Sequence, residues 1–441
     1  MKDKTKKRVK RAIVVFVVLS VIYGMAVGVG LIRLHNVYHD LSDNGRPTAL
    51  EEIIPAHVFD QNNAALLYGS AIARLKAEPA NDESLMKHLT TLIKQVRTED
   101  PNESAQQEID QWLDSDLMKE VFALVEQGTR RSGCRFDLDY EGGFAVQMSH
   151  LQGLRTLSRL MGRQVQRLAS KGQVEQAWQL AETMARFAEA TSDEPLLVNQ
   201  LIRIQRIGAT LEAIWTLCET STPSKQQIAT FNTLFSSFAS KQPLMNALDG
   251  ERLICDHTIF RSSDPSQVRQ LLEIKDTRWR LLFSAYTGLG KPLFLADHAY
   301  YLRIMNQVSS SFETPYSSRT QEDLNVTEDT PSHYLASRMF LPPFYRIFYR
   351  HNDMLARLRI TSTGLGLIEF RQEHGSYPDT LKDWPRETIA DPFTHLPLMY
   401  RKESNGFLLY SLGPNKEDDY GQVNTKDDQK GDIAWQYSRA Q

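Results

Sequence analysis

Residues Ala12 to Ile32 make 21 consecutive positions without a charge, dominated by Val, Ile and Leu. A helix rising about 1.5 Å per residue needs roughly 20 such residues to cross a hydrocarbon core about 30 Å thick. In water this segment would expose apolar surface around its whole circumference, so the run commits the chain to a membrane or to removal at export. Seven of the first eleven residues are Lys or Arg, against one acid, Asp3. Flanks of that kind stay in the cytoplasm. The expected arrangement is a basic arm at 1–11, a transmembrane helix at 12–32 in the cytoplasmic membrane, and an extracytoplasmic (periplasmic) body from Arg33 onward. A cleaved signal peptide would use Ala12–Tyr23 as its apolar run and a cut after Ala26. The continuation of that run to Ile32 favours an uncleaved anchor.

The formal charge of −3 conceals an asymmetry. Without the arm, 44 cations face 53 acids, a net −9. Nucleic-acid binding calls for a basic footprint, so no nucleic-acid partner is expected. The three cysteines, Cys134, Cys218 and Cys255, are odd in number and widely spaced, with neither a disulfide framework nor a zinc pattern.

Between 33 and 310 the chain reads as helices divided by short polar breaks such as Gly142-Gly143, Lys171-Gly172 and Ser221-Thr222-Pro223. Asp60-Gln61-Asn62 offers start signals for a helix over Asn63–Leu75. Leu151, Leu154, Leu157, Met161, Val165 and Leu168 recur at helical spacing, and Val174, Ala177, Trp178, Ala181 and Met184 repeat the pattern after Gly172. Two amphipathic helices joined by so short a turn must lie antiparallel. The hairpin resembles a tetratricopeptide unit, but the chain carries no second copy at that period. The expected body is an all-α bundle. A polar linker or loop region follows at 311–341, and a module at 342–441 opens with a long helix from Leu341-Pro342-Pro343 to His374-Gly375.

That module reads as α+β: the helix, turns at Tyr377-Pro378 and Asp391-Pro392, and strands over Leu396–Arg401 and Gly406–Ser411. The loop from Asn415 to Asp432 then holds six acids against three lysines. Hard cations take six to eight oxygens. The order Tyr377-Pro378, Asp391-Pro392, Pro397 to Tyr400, Phe407 to Gly413, Asn415 and Asp432-Ile433 resembles the C-terminal domain of type II secretion major pseudopilins. The match covers about residues 350–437. That resemblance implies a calcium-ordered loop with ligands from Leu412 (backbone), Asn415, Asp427, Asp428 and Asp432. Asn415 stands where the family usually has Asp, and the N-terminal segment lacks a prepilin cleavage pattern, so the chain is not expected to be a pilus subunit. The whole chain is similar to exported proteins of unassigned function from planctomycete-type bacteria.

Four further features carry candidate chemistry. Arg155, Arg159, Arg163 and Arg167 form a ridge that could hold an anion, or pair internally with Glu175, Glu182 and Glu189 of the next helix. Asp137, Asp139 and Glu141 alternate with apolar residues and could act as general acids and bases. His35 and His39 lie one turn apart, and Cys255 and His257 flank Asp256. No phosphate-cradling glycine loop, nucleophile elbow or zincin motif is present. The expectation is a non-enzymatic, membrane-anchored interaction scaffold with a protein partner in the envelope, linked to secretion or envelope assembly. The competing expectation is an exported hydrolase or carbohydrate-active enzyme that uses the three acids.

Overall fold

The computed structural model describes residues 2–80, 83–96, 102–146, 148–262, 277–312, 314–319, 329–384, 389–424 and 430–438. It is mainly α-helical, with one long apolar N-terminal helix and a small antiparallel sheet at the C-terminus. Helix α1 (Lys2–Asp43) is unbroken for 42 residues. Its side chains from Thr5 to Ala26 are exposed on every face, whereas Val37 and Leu41 are buried. The expected boundary between anchor and body therefore falls inside one helix. Gly30 permits the close approach: a Cβ there would stand 2.9 Å from the Leu295 side chain.

The body continues through α2 (Ala64–Ala77), α3 (Leu85–Val96), α4 (Glu103–Asp114), α5 (Asp116–Thr129), α6 (Ser149–Ser170), α7 (Val174–Ala188), α8 (Leu197–Thr220), α9 (Lys225–Phe238) and α10 (Gln242–Cys255). A two-residue pair of strands, β1 (Pro79–Ala80) and β2 (Glu83–Ser84), sits between α2 and α3. Helix starts follow from local hydrogen bonding. Asn63, Asn102 and Ser115 accept backbone N–H groups at the heads of α2, α4 and α5, and Ser224 with Gln227 forms a capping box on α9. The α2 cap is thus Asn63, while Asp60–Asn62 forms a 3-10 turn before it. Between α6 and α7, Gly172 takes φ +75° and the Gln173 amide donates to the Leu168 carbonyl. That six-to-one bond closes α6 in the way that left-handed C-caps do. The two helices pack together as expected, and α6 also packs on α8.

The chain then forms α11 (Thr277–Thr287), α12 (Lys291–Ser311), α13 (Leu335–Phe340) and α14 (Phe344–His374). Helix α1 packs along α12. Within the polar stretch 309–332, residues 313 and 320–328 lie outside the described residues. Gly375, at φ +80°, terminates α14. The terminal sheet has the order β3 (Met399–Glu403), β4 (Gly406–Ser411), β5 (Ile433–Ser438), all antiparallel. The sequence had not suggested β5. It makes β4 the central strand, with all six of its residues buried.

The sheet docks on the body through aromatic packing. Trp435 of β5 stacks on Trp215 of α8 at 5.4 Å between ring centroids, and the Trp215 indole donates to Thr361 of α14. Gly364 leaves the space for this: a Cβ would fall 2.2 Å from the Trp435 ring. One buried apolar cluster runs from Val37 and Leu41 through the helices to Trp435 and Tyr437. Gly364→Ala should therefore cost about 1–3 kcal/mol by overpacking. Gly69→Ala, at a helical site with nothing within 4 Å, should add about 0.5–1 kcal/mol. Denaturation of the full chain in non-ionic detergent measures both.

Candidate functional site

The acidic loop folds back against the sheet. Asp432, 2% exposed, accepts the Gly421 amide at 2.7 Å through Oδ2, while its Oδ1 is buried without a hydrogen-bond partner. Asn415 donates to Asp419 at 3.0 Å, and Gly413 packs against the backbone at Gly431 and Asp432. The structure thus gathers Asn415, Asp419 and Asp432 beside the 412–413 turn. Asp419 was not among the expected ligands. Leu412 is held by its amide, which donates to Asp391 at 2.9 Å. Buried Asp391 also accepts from Phe393 and Ser411, so this turn residue ties the loop's root to β4. Asp427 and Asp428 lie outside the described residues. Among the described residues, no three His, Cys, Asp or Glu side chains are placed to hold a metal ion.

Burial pushes the Asp432 carboxyl up to about 6. The amides of Gly421 and Asp419 oppose the shift, and Asp419 and Asp418 add to it. A folded value above the unfolded carboxylate value means the protonated form fits the fold better. The stability this group contributes is complete below about pH 4 and lost as pH rises through about 6.

A second polar centre ties α1 to the body. After α10 the chain widens into a π-turn over Asp256–Phe260, a local form common at functional sites. The Asp256 carboxylate accepts Tyr38 Oη at 2.7 and 2.8 Å and lies 2.5 Å from His298 Nε2. Phe260 stacks on His298 with centroids 4.4 Å apart. Nearby, Asp297 accepts the Tyr286 hydroxyl and the amides of Ala336 and Ser337, fixing the start of α13. The suggested Cys255–His257 pair does not form: burial raises the Cys255 thiol well above its usual range, and His257 is exposed. His35 is exposed, and His39 pairs with Asp43 at 2.8 Å.

The third centre lies under the 134–140 segment. Phe136, Leu138 and Tyr140 turn inward, and Phe136 stacks on His150 at 4.0 Å. Asp137, Asp139 and Glu141 point into solvent and do not converge. His150 and Asn199 meet buried Glu194, and Gln200 donates to the carbonyls of Thr191, Ser192 and Glu194. Burial raises the Cys134 thiol to about 12, which suppresses its thiolate.

The arginine ridge divides. Arg163 holds Asp110 with two hydrogen bonds of 2.8 and 2.9 Å, and Arg167 holds Asp114 at 2.5 Å. The partners come from α4. Glu182 of α7 pairs with Arg186, while Glu189, just past the end of α7, pairs with Arg203 of α8. Internal pairing therefore occurs through α4, two helices earlier in the chain, not through the helix after Gly172. Comparison with family models, curated proteins and solved structures found no match to the chain.

Two outcomes follow. Without divalent cation, Asp432→Asn should gain stability relative to the wild type as pH rises from about 4 to about 7, a trend read from paired melting curves. Tyr38→Phe should cost about 1.5–3 kcal/mol, the range for a hydrogen bond to a charged group, measured by denaturation in detergent.

Proposed function

We propose that the protein is a single-pass, membrane-anchored scaffold whose body presents the C-terminal module to a protein partner in the bacterial envelope. One observation carries the reading: the bare apolar length of α1 runs without interruption into turns that are buried in the body. An exposed apolar helix of that length suits a bilayer and is costly in water. Its continuity fixes the body to the membrane without a flexible joint. The basic arm, Lys2 to Arg11, supports a cytoplasmic N-terminus and an extracytoplasmic body. The α6–α7 hairpin is the tetratricopeptide-like part of this scaffold.

The module is a pseudopilin-like, calcium-ordered assembly surface in this reading, tied to secretion or envelope assembly. Its support is a long helix carrying a three-stranded antiparallel sheet, with an acidic loop between the last two strands and an orphaned buried carboxylate oxygen on Asp432. Asp432, Asn415 and the Leu412 carbonyl would supply part of the six to eight oxygens that calcium takes. Asp427 and Asp428 would supply more. Calcium would neutralise the loop's carboxylates and hold it against β4.

Fractionation of cells expressing the full chain should recover it in the membrane, with protease cutting the body only from the extracytoplasmic side. Recovery in the cytosol, or cleavage from the cytoplasmic face, would refute the topology. In detergent, calcium at about one hundred times its dissociation constant should stabilise the full chain by about 2.7 kcal/mol. The double variant Asp427→Ala, Asp428→Ala should lose that gain. An unchanged melting temperature at millimolar calcium rejects the cation role.

A further inference from the structure

The bare part of α1 falls short of a bilayer's thickness. Side chains are exposed on every face from Ala12 to Ala26, and at about 1.5 Å per residue that stretch covers about 22 Å. The hydrocarbon core is about 30 Å thick, and tilt only lengthens the path. The remaining distance, about 8 Å, falls to turns of α1 beyond Ala26 that already lie against the body. What stands beside those turns is the corner between α11 and α12. Tyr23 Oη donates to the Gly288 carbonyl at 3.3 Å, and Gly30 lies against the Leu295 side chain. The corner is therefore level with the second half of the apolar run Ala12–Ile32, not above it.

The chemistry of the corner suits that depth. Leu281, Leu282, Leu289 and Leu293 are all exposed, Leu289 by 85% and Leu281 by 67%. Contiguous exposed apolar surface of this kind marks a protein or membrane contact. From Leu281 to Ala296 the sequence carries one charge, Lys291. It is exposed, and a lysine stem is long enough to carry its ammonium to the headgroups. The polar groups of the turn are closed among themselves. The amides of Gly288 and Gly290 donate to the carbonyls of Ser284 and Ala285 at 3.0 and 2.8 Å. Those of Lys291, Leu293 and Phe294 donate to Gly288 and Gly290, Pro292 has no amide to satisfy, and the Thr287 hydroxyl donates to the Phe283 carbonyl. Hydrocarbon tolerates backbone only when its polar groups are paired within the protein.

We propose that the α11–α12 corner enters the extracytoplasmic leaflet beside α1, where lipid acyl chains cover Leu281, Leu282, Leu289 and Leu293. The proposal rests on the reading of α1 as a membrane-spanning anchor. Two points of entry fix the rotation of the body about α1 as well as its height. The test labels full-length Leu289→Cys, Phe16→Cys and Leu396→Cys in detergent with a polarity-sensitive fluorophore. Each is reconstituted in phosphatidylcholine vesicles with and without a phospholipid that carries a nitroxide on its acyl chain. Cys218 and Cys255 are buried and Cys134 is half-buried, so the unsubstituted chain supplies the blank. Leu396, exposed near the far end of α12 where Tyr316 meets Phe393, is the aqueous control. The Leu289 probe should lose emission to the nitroxide as the Phe16 probe does, and resist iodide in the water. The Leu396 probe should do the reverse. Quenching at Phe16 without quenching at Leu289 overturns the inference and leaves the anchor standing. No quenching at Phe16 removes the anchor, and this inference with it. Shielding of the Leu289 probe from both quenchers would place a second copy of the chain on the corner, and also overturns the inference. Leu281→Cys repeats the measurement on α11 if the Leu289 variant fails to fold.

Discussion

A helix that must satisfy two solvents sets the terms for the rest of this molecule. From Ala12 to Ala26, α1 presents apolar side chains on all sides. Beyond Gly30 it enters a packed protein interior, where Val37 and Leu41 lose contact with solvent. No break separates the two halves, so the orientation of one dictates that of the other. What holds the second half is directional. Tyr38 donates to Asp256, and Asp256 in turn meets His298 on α12, the helix along which α1 lies. A buried carboxylate of this kind persists only when its oxygens are occupied. Removing Tyr38 or His298 would expose that requirement. Asp256 opens the π-turn that follows α10, and from there its carboxylate meets Tyr38 of α1.

The C-terminal module depends on a comparable fit made from shape. Trp435 lies flat against Trp215, in space left by the missing side chain of Gly364. Trp215 is at the same time hydrogen-bonded to Thr361. One indole pair thus joins a strand at the end of the chain, a helix from its middle and the long helix between them. Burial of two large aromatic surfaces contributes several kcal/mol beyond what the small sheet could gain alone. A three-stranded sheet needs a helix or second layer beneath it to stand, and α8 and α14 provide that layer.

Much of this was legible before any coordinates, and the reasons are local. The Gly172 turn and the Gly375 stop are signals carried by a few adjacent residues, and each ended its helix as expected, whereas the apolar run to Ile32 gave a helix that extends past the expected 12–32 at both ends. Strand β5 was missed because Ile433-Ala434-Trp435 follows an acidic loop, and its partner β4 lies more than twenty residues upstream. The alternation around Asp137 was legible as alternation, but the direction of burial was not. Phe136 and Tyr140 occupy the inner face because His150 and Glu194, distant in sequence, need covering. The ridge from Arg155 to Arg167 was visible as a row. Its division was hidden, since the acids that capture its end belong to α4.

That division bears on how charge is distributed through the body. Arginines whose partners were built in, such as Arg163 on Asp110 and Arg203 on Glu189, are held by two-point contacts. Arg206 lies deeper than Arg163 and has less. Its burial lowers its proton affinity to about 10, yet it stays charged at neutral pH. Buried Glu194 acts on it through space and has one carboxylate oxygen without a hydrogen-bond partner, so an apolar replacement of Arg206 would strip that carboxylate of a compensating charge. The interior beside α8 thus keeps a buried cation and a buried carboxylate that offset each other by charge more than by hydrogen bonds.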